Sequence, residues 1–256
     1  MHTTGNTLLV TGGGSGIGLE LAKAFLALGN EVIIAGRREA LLQREVAANP
    51  GLRYQVLDVS DAHDTQRVAE RLVADYPRLN AVIHAAGIMR GESLTAGGAS
   101  ELEATVATNL LGPIRLDSWL LPHFLKQPHA AIVTVSSGLA FLPLALTPSY
   151  CATKAAVHSY SQSLRYQLKD TAVRVHELAP PYVQTELMGE RQASDPQAMP
   201  LREFIDEVMG IFQHALEADE ILVERVKPLR YAERGDDYPA FFERFNDQMA
   251  AARQGE

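Results

Sequence analysis

Cysteine is almost missing from this chain: it occurs once in 256 residues, as Cys151. A single thiol excludes an intrachain disulfide and any zinc site built on cysteines. Basic residues are outnumbered, 23 Lys and Arg against 31 Asp and Glu, for a formal net charge of -8. Nucleic acid, which needs a basic surface, is therefore not an expected partner. No apolar run approaches the roughly 18–20 residues that span a bilayer. The first residues enter a strand-like run with no long apolar, basic leader, so the expectation is a cytoplasmic chain without a membrane partner. The 8 histidines show no H-x-x-x-H spacing. His123 and His129 stand beside prolines and are read as loop or surface residues, so no metal is expected.

What is present is an ordinary globular composition, 46% apolar and 21% charged. There is no Gly/Ser linker and no repeat of the first half, so residues 1–256 are read as a single domain. Short apolar runs bounded by turns recur at Thr7–Val10, Glu31–Ala35, Arg53–Leu57, Ala81–His84, Ala131–Val135 and Val173–Leu178, with a last candidate at Ile221–Val226. Helical patterns lie between and after them: Leu19–Leu28, Ala40–Ala48, Ala62–Tyr76, Glu101–Lys126 with a bend at Gly112-Pro113, Tyr150–Lys169, Leu201–Glu217 and Tyr238–Ala251. Gly97-Gly98 and the polar stretch 189–200 are expected as loops. This alternation predicts an α/β fold, a doubly wound and mostly parallel sheet with helices on both faces.

The first strand feeds Thr11-Gly12-Gly13-Gly14-Ser15-Gly16-Ile17-Gly18, which opens a helix, and a second strand follows. Strand, glycine turn, helix and strand in that order are the setting of a dinucleotide fingerprint. Glycines let the backbone approach a pyrophosphate, whose charge suits the positive end of a helix. No Lys-Ser/Thr follows the final glycine, so this is not a P-loop. Gly36-Arg37-Arg38 ends the second strand. An acidic residue there would bond a ribose 2′-hydroxyl, whereas arginines suit a 2′-phosphate. Arg37 and Arg38 therefore favour NADP(H) and leave NAD(H) open. Ala85-Ala86-Gly87, after the fourth strand, is small enough to admit a ligand against the backbone.

Ser136-Ser137 ends the fifth strand, and an apolar loop leads from it to Tyr150, with Lys154 four residues further on. On a helix starting near Ser149, that spacing puts phenol and ammonium on one face, one turn apart. A free tyrosine titrates near pH 10, and a neighbouring cation favours the phenolate.

Four signals in this order resemble the short-chain dehydrogenase/reductase family, from about Thr7 to Thr185. They are the Thr11–Gly18 loop, Asp58-Val59, Tyr150-x-x-x-Lys154, and Asn109 and Ser137 at 41 and 13 residues before the tyrosine. Ala86–Arg90, Asn109–Arg115, Ser136–Phe141 and Leu178–Pro181 are similar to a branch that includes an oxidoreductase encoded with the teichoic-acid D-alanylation genes of Gram-positive bacteria. That branch brings no substrate with it.

The resemblance implies a Rossmann-type fold and hydride exchange between a nicotinamide and a small carbonyl or alcohol substrate. It makes Tyr150 the general acid/base, Lys154 the group that holds the ribose and lowers the phenol's pKa, Ser137 the substrate-oxygen ligand, and Asn109 the holder of a water. It adds Asp58 and Val59 as adenine contacts and Pro180, Val183 and Thr185 as contacts near the nicotinamide. Ser136 is read as ending its strand. A homodimer or homotetramer is expected. Leu139, Phe141, Leu142, Leu144, Tyr182 and Met188 would line an apolar pocket. Arg90 is read as solvated, or as a partner for an anionic substrate, and Cys151 as buried and inert.

Three departures from the family stand out: His84-Ala85 where Asn-Asn is usual, Pro180-Pro181 where Pro-Gly is usual, and no C-terminal strand ending in Asp-Gly. Two other functions remain compatible with the fold. A non-catalytic NADP(H)-binding or sensor protein has no need of all four residues Asn109, Ser137, Tyr150 and Lys154. An extended sugar-nucleotide epimerase or dehydratase needs a larger region after Leu187.

Overall fold

In the computed structural model, residues 1–96 and 101–254 are described, and the loop expected at Gly97-Gly98 lies outside them. Seven parallel strands pair among the described residues: β1 (Thr7–Thr11), β2 (Glu31–Gly36), β3 (Leu52–Val56), β4 (Leu79–His84), β5 (Ala130–Val135), β6 (Val173–Leu178) and β7 (Glu220–Ile221). Their order across the sheet is β3-β2-β1-β4-β5-β6-β7. The helices that cover it are α1 (Gly16–Ala27), α2 (Glu39–Ala48), α3 (Ala62–Asp75), α4 (Leu102–Val106), α5 (Gly112–Phe124), α6 (Pro148–Leu168), α7 (Glu190–Ser194), α8 (Leu201–His214), α9 (Lys227–Arg230) and α10 (Tyr238–Gln254).

The central strands are buried along their whole length, which is why they appear in the sequence as unbroken apolar runs. Successive side chains alternate between two cores. Leu8 and Val10 face Phe25, Phe204 and Phe212 on one side, while Leu9 faces Leu72, Leu116, Phe124 and Leu164 on the other. β1 pairs with both β2 and β4, so the chain winds outward from it in two directions. The crevice beyond the carboxyl ends of β1 and β4 is where such a sheet binds ligands.

Three local expectations need correction. The strand expected at Ile221–Val226 is only Glu220–Ile221, because β6 ends opposite it at Leu178. The Glu207 carboxylate then accepts from Glu224 N at 2.6 Å, and the chain turns into a 3₁₀ segment over Glu224–Val226. The polar stretch 189–200 holds α7, ordered by Gln192, which donates to Val183 O at 2.8 Å. The long helix departs from α geometry before Gly112-Pro113, in a π-helical turn over Ala107–Leu111 that carries Asn109. Gly112 fits there because a Cβ would lie 2.9 Å from Val59 O.

Candidate active site

The glycine loop joins β1 to α1 and rests against the end of β4. Gly12 has φ +66°, and a Cβ on it would lie 2.7 Å from the Ala86 backbone. A Cβ on Gly18 would lie 2.6 Å from Gly12 O. Both positions therefore require glycine for packing, and Gly12 requires it for conformation as well. Gly16, at φ +56°, opens α1 and faces the Thr185 methyl, whereas Gly14 has ordinary backbone and meets Leu41. Ile17 packs on the core. α1 has no acidic residue in its first turn, and the Ser15 side chain makes no cap bond, so the positive end of the helix is free to meet an anion.

Arg37 and Arg38 are exposed beyond β2. Arg38 reaches back over the glycine loop, with Nη2 3.4 Å from Ser15 Oγ. The Asp58 carboxylate accepts from Ser60 N at 2.9 Å and from Ser60 Oγ at 2.6 Å, which fixes it at the end of β3. Val59 is buried against Gly112. Ala85 and Ala86 pack on the glycine loop, and Arg38 reaches over it. A dinucleotide suits it: small residues for close approach, a helix N-terminus for phosphate, and guanidinium groups at the far side.

The amide that Ala85 lacks has substitutes. Thr11 Oγ1 accepts from Ala86 N at 3.3 Å. His84 reaches the buried Asp117 at 2.7 Å, and Tyr160 Oη donates to the same carboxylate at 3.0 Å, tying β4 to α5 and α6. A Cβ on Gly87 would lie 3.5 Å from Asn109 Oδ1 and 3.8 Å from Lys154 Nζ, ordinary contact distances that put this position beside both side chains.

Tyr150 and Lys154 lie one turn apart on α6, as their spacing predicts, and both are buried. Helix α6 starts where it does because the Glu92 carboxylate accepts from Ser149 N at 3.1 Å and from Ser149 Oγ at 2.6 Å. Glu92 escaped sequence reasoning: it caps the helix from a distant loop. Lys154 Nζ donates to Val135 O at 2.7 Å and sits 5.5 Å from the centre of the Tyr150 ring. Burial lowers the ammonium to about 8 and pushes the phenol up to about 12, with the Ser137 hydroxyl beside it pulling the phenol the other way. The expectation that Lys154 brings the phenol's pKa down is not met in the protein itself. Desolvation is the largest cause of the upward shift, and the Lys154 ammonium directs its hydrogen bond at a carbonyl.

Ser137 sits at the end of β5, where its Oγ also accepts from Leu139 N at 3.1 Å. Ser136 instead donates to the buried Glu177. Asn109 accepts from Ile88 N and donates to Ile88 O, both at 2.9 Å, and its Nδ2 is 3.3 Å from Thr153 Oγ1. Both amide N–H groups are thereby engaged, and Oδ1 keeps a second lone pair. Pro180 O accepts from Gly138 N at 2.9 Å, coupling the β6 exit to the serine turn. Val183 and Thr185 are both held by Gln192, with Nε2 3.1 Å from Thr185 Oγ1. Gln192 carried no sequence signal, because its role depends on the turn formed by α7.

The apolar cluster beside the phenol comprises Met89, Leu144, Tyr150 and Cys151, flanked by half-buried Leu139, Leu146, Met188, Phe245 and Met249. Of the expected lining, Phe141 and Leu142 point elsewhere. The Phe141 ring meets His158 at 4.7 Å and the Arg230 guanidinium at 4.4 Å, and Leu142 is fully buried. Tyr182 donates to Asp195 at 3.0 Å. Arg90 pairs with Glu101 at 3.6 Å. Cys151 is buried, with Sγ accepting from Leu144 N at 3.3 Å, and burial raises its thiol pKa, which suits an inert residue.

Among the described residues, one group brings metal-type donors together: His158, Glu177 and Glu220. Sequence spacing could not reveal it, because the three lie on different elements. Arg230 already clamps Glu220 at 2.8 and 3.1 Å, and Glu177 bonds Ser136 and His158. The cluster is complete without a cation.

The family model described as short chain dehydrogenase matches residues 6–196. The chain is 44% identical over 254 residues to an uncharacterized oxidoreductase, DltE, of Bacillus subtilis (strain 168), covering 97% of this chain and 99% of that one. It is similar to a short-chain dehydrogenase from Sphingobium yanoikuyae solved in complex with NADPH, with a TM-score of 0.76 and 26% identity over 98% of this chain and 94% of that one. A short chain dehydrogenase/reductase from Burkholderia phymatum solved with NAD shares the fold at a TM-score of 0.77 and 22% identity, over 91% of this chain and 95% of that one.

Proposed function

The chain belongs to the short chain dehydrogenase family, and on that premise we propose that it is an NADP(H)-dependent oxidoreductase of small, largely apolar carbonyl or alcohol substrates, with Tyr150 as general acid/base. The observation that carries this reading is the buried Tyr150–Lys154 pair, with Ser137 beside the phenol and Gly87 against the lysine.

Bound nicotinamide supplies or accepts the hydride. Ser137 hydrogen-bonds the substrate oxygen, and Tyr150 donates its proton to that oxygen in reduction and takes it back in oxidation. A phenol pushed up to about 12 stays protonated at neutral pH, the form that reduction needs. Lys154 holds a cationic hydrogen-bond donor at the cofactor ribose. Asn109 acts by fixing Ile88, which keeps the β4 exit and Gly87 in place. Gly12, Gly14, Ser15, Gly16, Ile17 and Gly18 cradle the pyrophosphate, Asp58 and Val59 border the adenine, and Pro180, Val183 and Thr185 border the carboxamide.

Arg37 and Arg38 favour the 2′-phosphate, and the position of Arg38 over Ser15 supports that preference. Residues 1–256 act as one domain, a reading supported by the pairing of β7 with β6. Exposed Trp119 and Tyr166 on α5 and α6 support a homodimer or homotetramer, which sedimentation velocity tests.

The test of the enzyme reading is Tyr150→Phe. Turnover of aldehydes with NADPH should fall by roughly a hundred- to ten-thousand-fold while NADPH affinity changes by less than about two-fold, general acid–base groups being worth 10²–10⁴. Retained turnover would leave a cofactor-binding protein as the better reading.

A further inference from the structure

The matched family region stops at residue 196, yet the protein places its last helix beside the phenol. On α10, Phe241, Phe242, Phe245 and Met249 recur at helical spacing on a half-buried face. Phe245 and Met249 pack against the cluster of Met89, Leu144, Tyr150 and Cys151. Tyr150 is buried to 6% exposure, whereas these two side chains keep part of their surface open. They are therefore positioned as a wall beside the reacting group.

The helix is anchored to the loop that precedes Tyr150. Asn246 donates to Pro143 O at 3.1 Å and accepts from Ala145 N at 2.7 Å. It also donates back to Phe242 O at 3.0 Å, which holds its amide in place. Through Asn246 the helix and the loop form one surface. The charged residues nearest in sequence face outward: Glu243 and Asp247 are exposed, and Arg244 pairs with Asp237 at 2.9 Å. The cluster itself contains no charged side chain.

We propose that α10 is one wall of the substrate cleft and that Phe245 and Met249 determine specificity, selecting carbonyl compounds or alcohols that carry an uncharged hydrocarbon portion. The proposal rests on the reading of Tyr150 as the group that meets the substrate oxygen. An aromatic ring and a thioether offer dispersion contact to a hydrocarbon and no counter-ion to a carboxylate or phosphate. Each methylene buried there adds about four-fold in affinity, the equivalent of ~0.8 kcal/mol.

The experiment is calorimetric titration of the protein saturated with NADPH by straight-chain alcohols from 1-butanol to 1-decanol, alongside reduction of the matching aldehydes. Wild-type affinity should rise with chain length. Phe245→Ala and Met249→Ala should each weaken 1-decanol roughly ten-fold, leave 1-butanol within two-fold and leave NADPH affinity unchanged. Phe245→Leu should recover most of the loss, and Glu243→Ala on the exposed face should match wild type.

No dependence on chain length in the wild type, or an undiminished dependence in Phe245→Ala and Met249→Ala, overturns the proposal. So does an equal loss at every length accompanied by loss of NADPH, which marks a structural role. If the alcohols bind as expected and no aldehyde is reduced, the wall stands and the hydride-transfer reading fails. If aldehydes are reduced and the chain-length slope is unmoved by either alanine, the reverse holds.

Discussion

Lys154 Nζ lies 5.5 Å from the centre of the Tyr150 ring and spends a hydrogen bond on Val135 O at 2.7 Å. Burial opposes charge on both residues, but at neutral pH the phenol is protonated folded and unfolded alike, so it is the Lys154 ammonium that costs folding stability and is retained for another purpose.

The first prediction is a stability gain. The ammonium is lowered from 10.5 to about 8, so below pH 8 it is charged in folded and unfolded chains alike and its burial penalty is fully present. Between pH 8 and 10.5 the unfolded chain binds more protons, and stability rises with pH through that window. Lys154→Met should stabilise the protein at pH 7 by roughly 1–3 kcal/mol and flatten its pH dependence above 8, read by denaturant melts. It should also abolish turnover. A variant less stable than wild type at pH 7 would contradict the desolvation account.

The second prediction concerns direction. With the phenol at about 12 and the Lys154 ammonium at about 8, aldehyde reduction at saturating NADPH should vary little between pH 5 and 7. Alcohol oxidation, which needs Tyr150 to accept a proton, should rise across the same range. Stopped-flow measurement of the hydride step in both directions separates the two, and parallel profiles would assign proton transfer elsewhere.

A third concerns the cofactor. Arg38→Ala removes a guanidinium that overhangs the glycine loop, and Arg37→Ala removes its exposed neighbour. Each charge-assisted bond to a phosphate is worth about 1.5–3 kcal/mol, so NADPH affinity should fall ten-fold or more in at least one variant while NADH stays within two-fold. Fluorescence titration with both cofactors decides this, and equal losses would point to a general effect on the loop.

The fourth addresses the glycine loop. Gly12→Ala would put a Cβ 2.7 Å from the Ala86 backbone at a φ of +66°. Backbone on both sides leaves nothing flexible to yield, so the variant should lose NADPH binding and melt well below wild type. Gly5→Ala shares the positive φ without any neighbour within 4 Å. It should lose only about 1 kcal/mol and keep the cofactor.

Fifth, Glu92→Gln weakens an external cap on α6. Caps are worth about 1 kcal/mol, so stability should fall by roughly that amount. Because the same cap sets the start of the helix that carries Tyr150, kcat should fall further than KM rises. Unchanged kinetics would separate the cap from the placement of the phenol.

The order of strands and helices was legible in the chain because sheet burial writes itself as short apolar runs and helix burial as a period near 3.6. The glycine loop and the Tyr150–Lys154 pair were legible for the same reason: their geometry is local, set by one turn of backbone. Most expected site residues gather at the carboxyl ends of β1, β4 and β5, as that order requires.

What needed the folded molecule was every relation between distant segments. Glu92 caps Ser149, Gln192 holds Thr185, and Asn246 grips Pro143 and Ala145. No periodicity marks such residues, because a polar side chain finds its partner only after the elements have packed. The direction of the Tyr150 shift belongs here too. Proximity to Lys154 could be read from spacing, but the burial that raises the phenol exists only once distant elements have packed. Local chain geometry brought the phenol and the ammonium together, and tertiary burial decided their proton affinities.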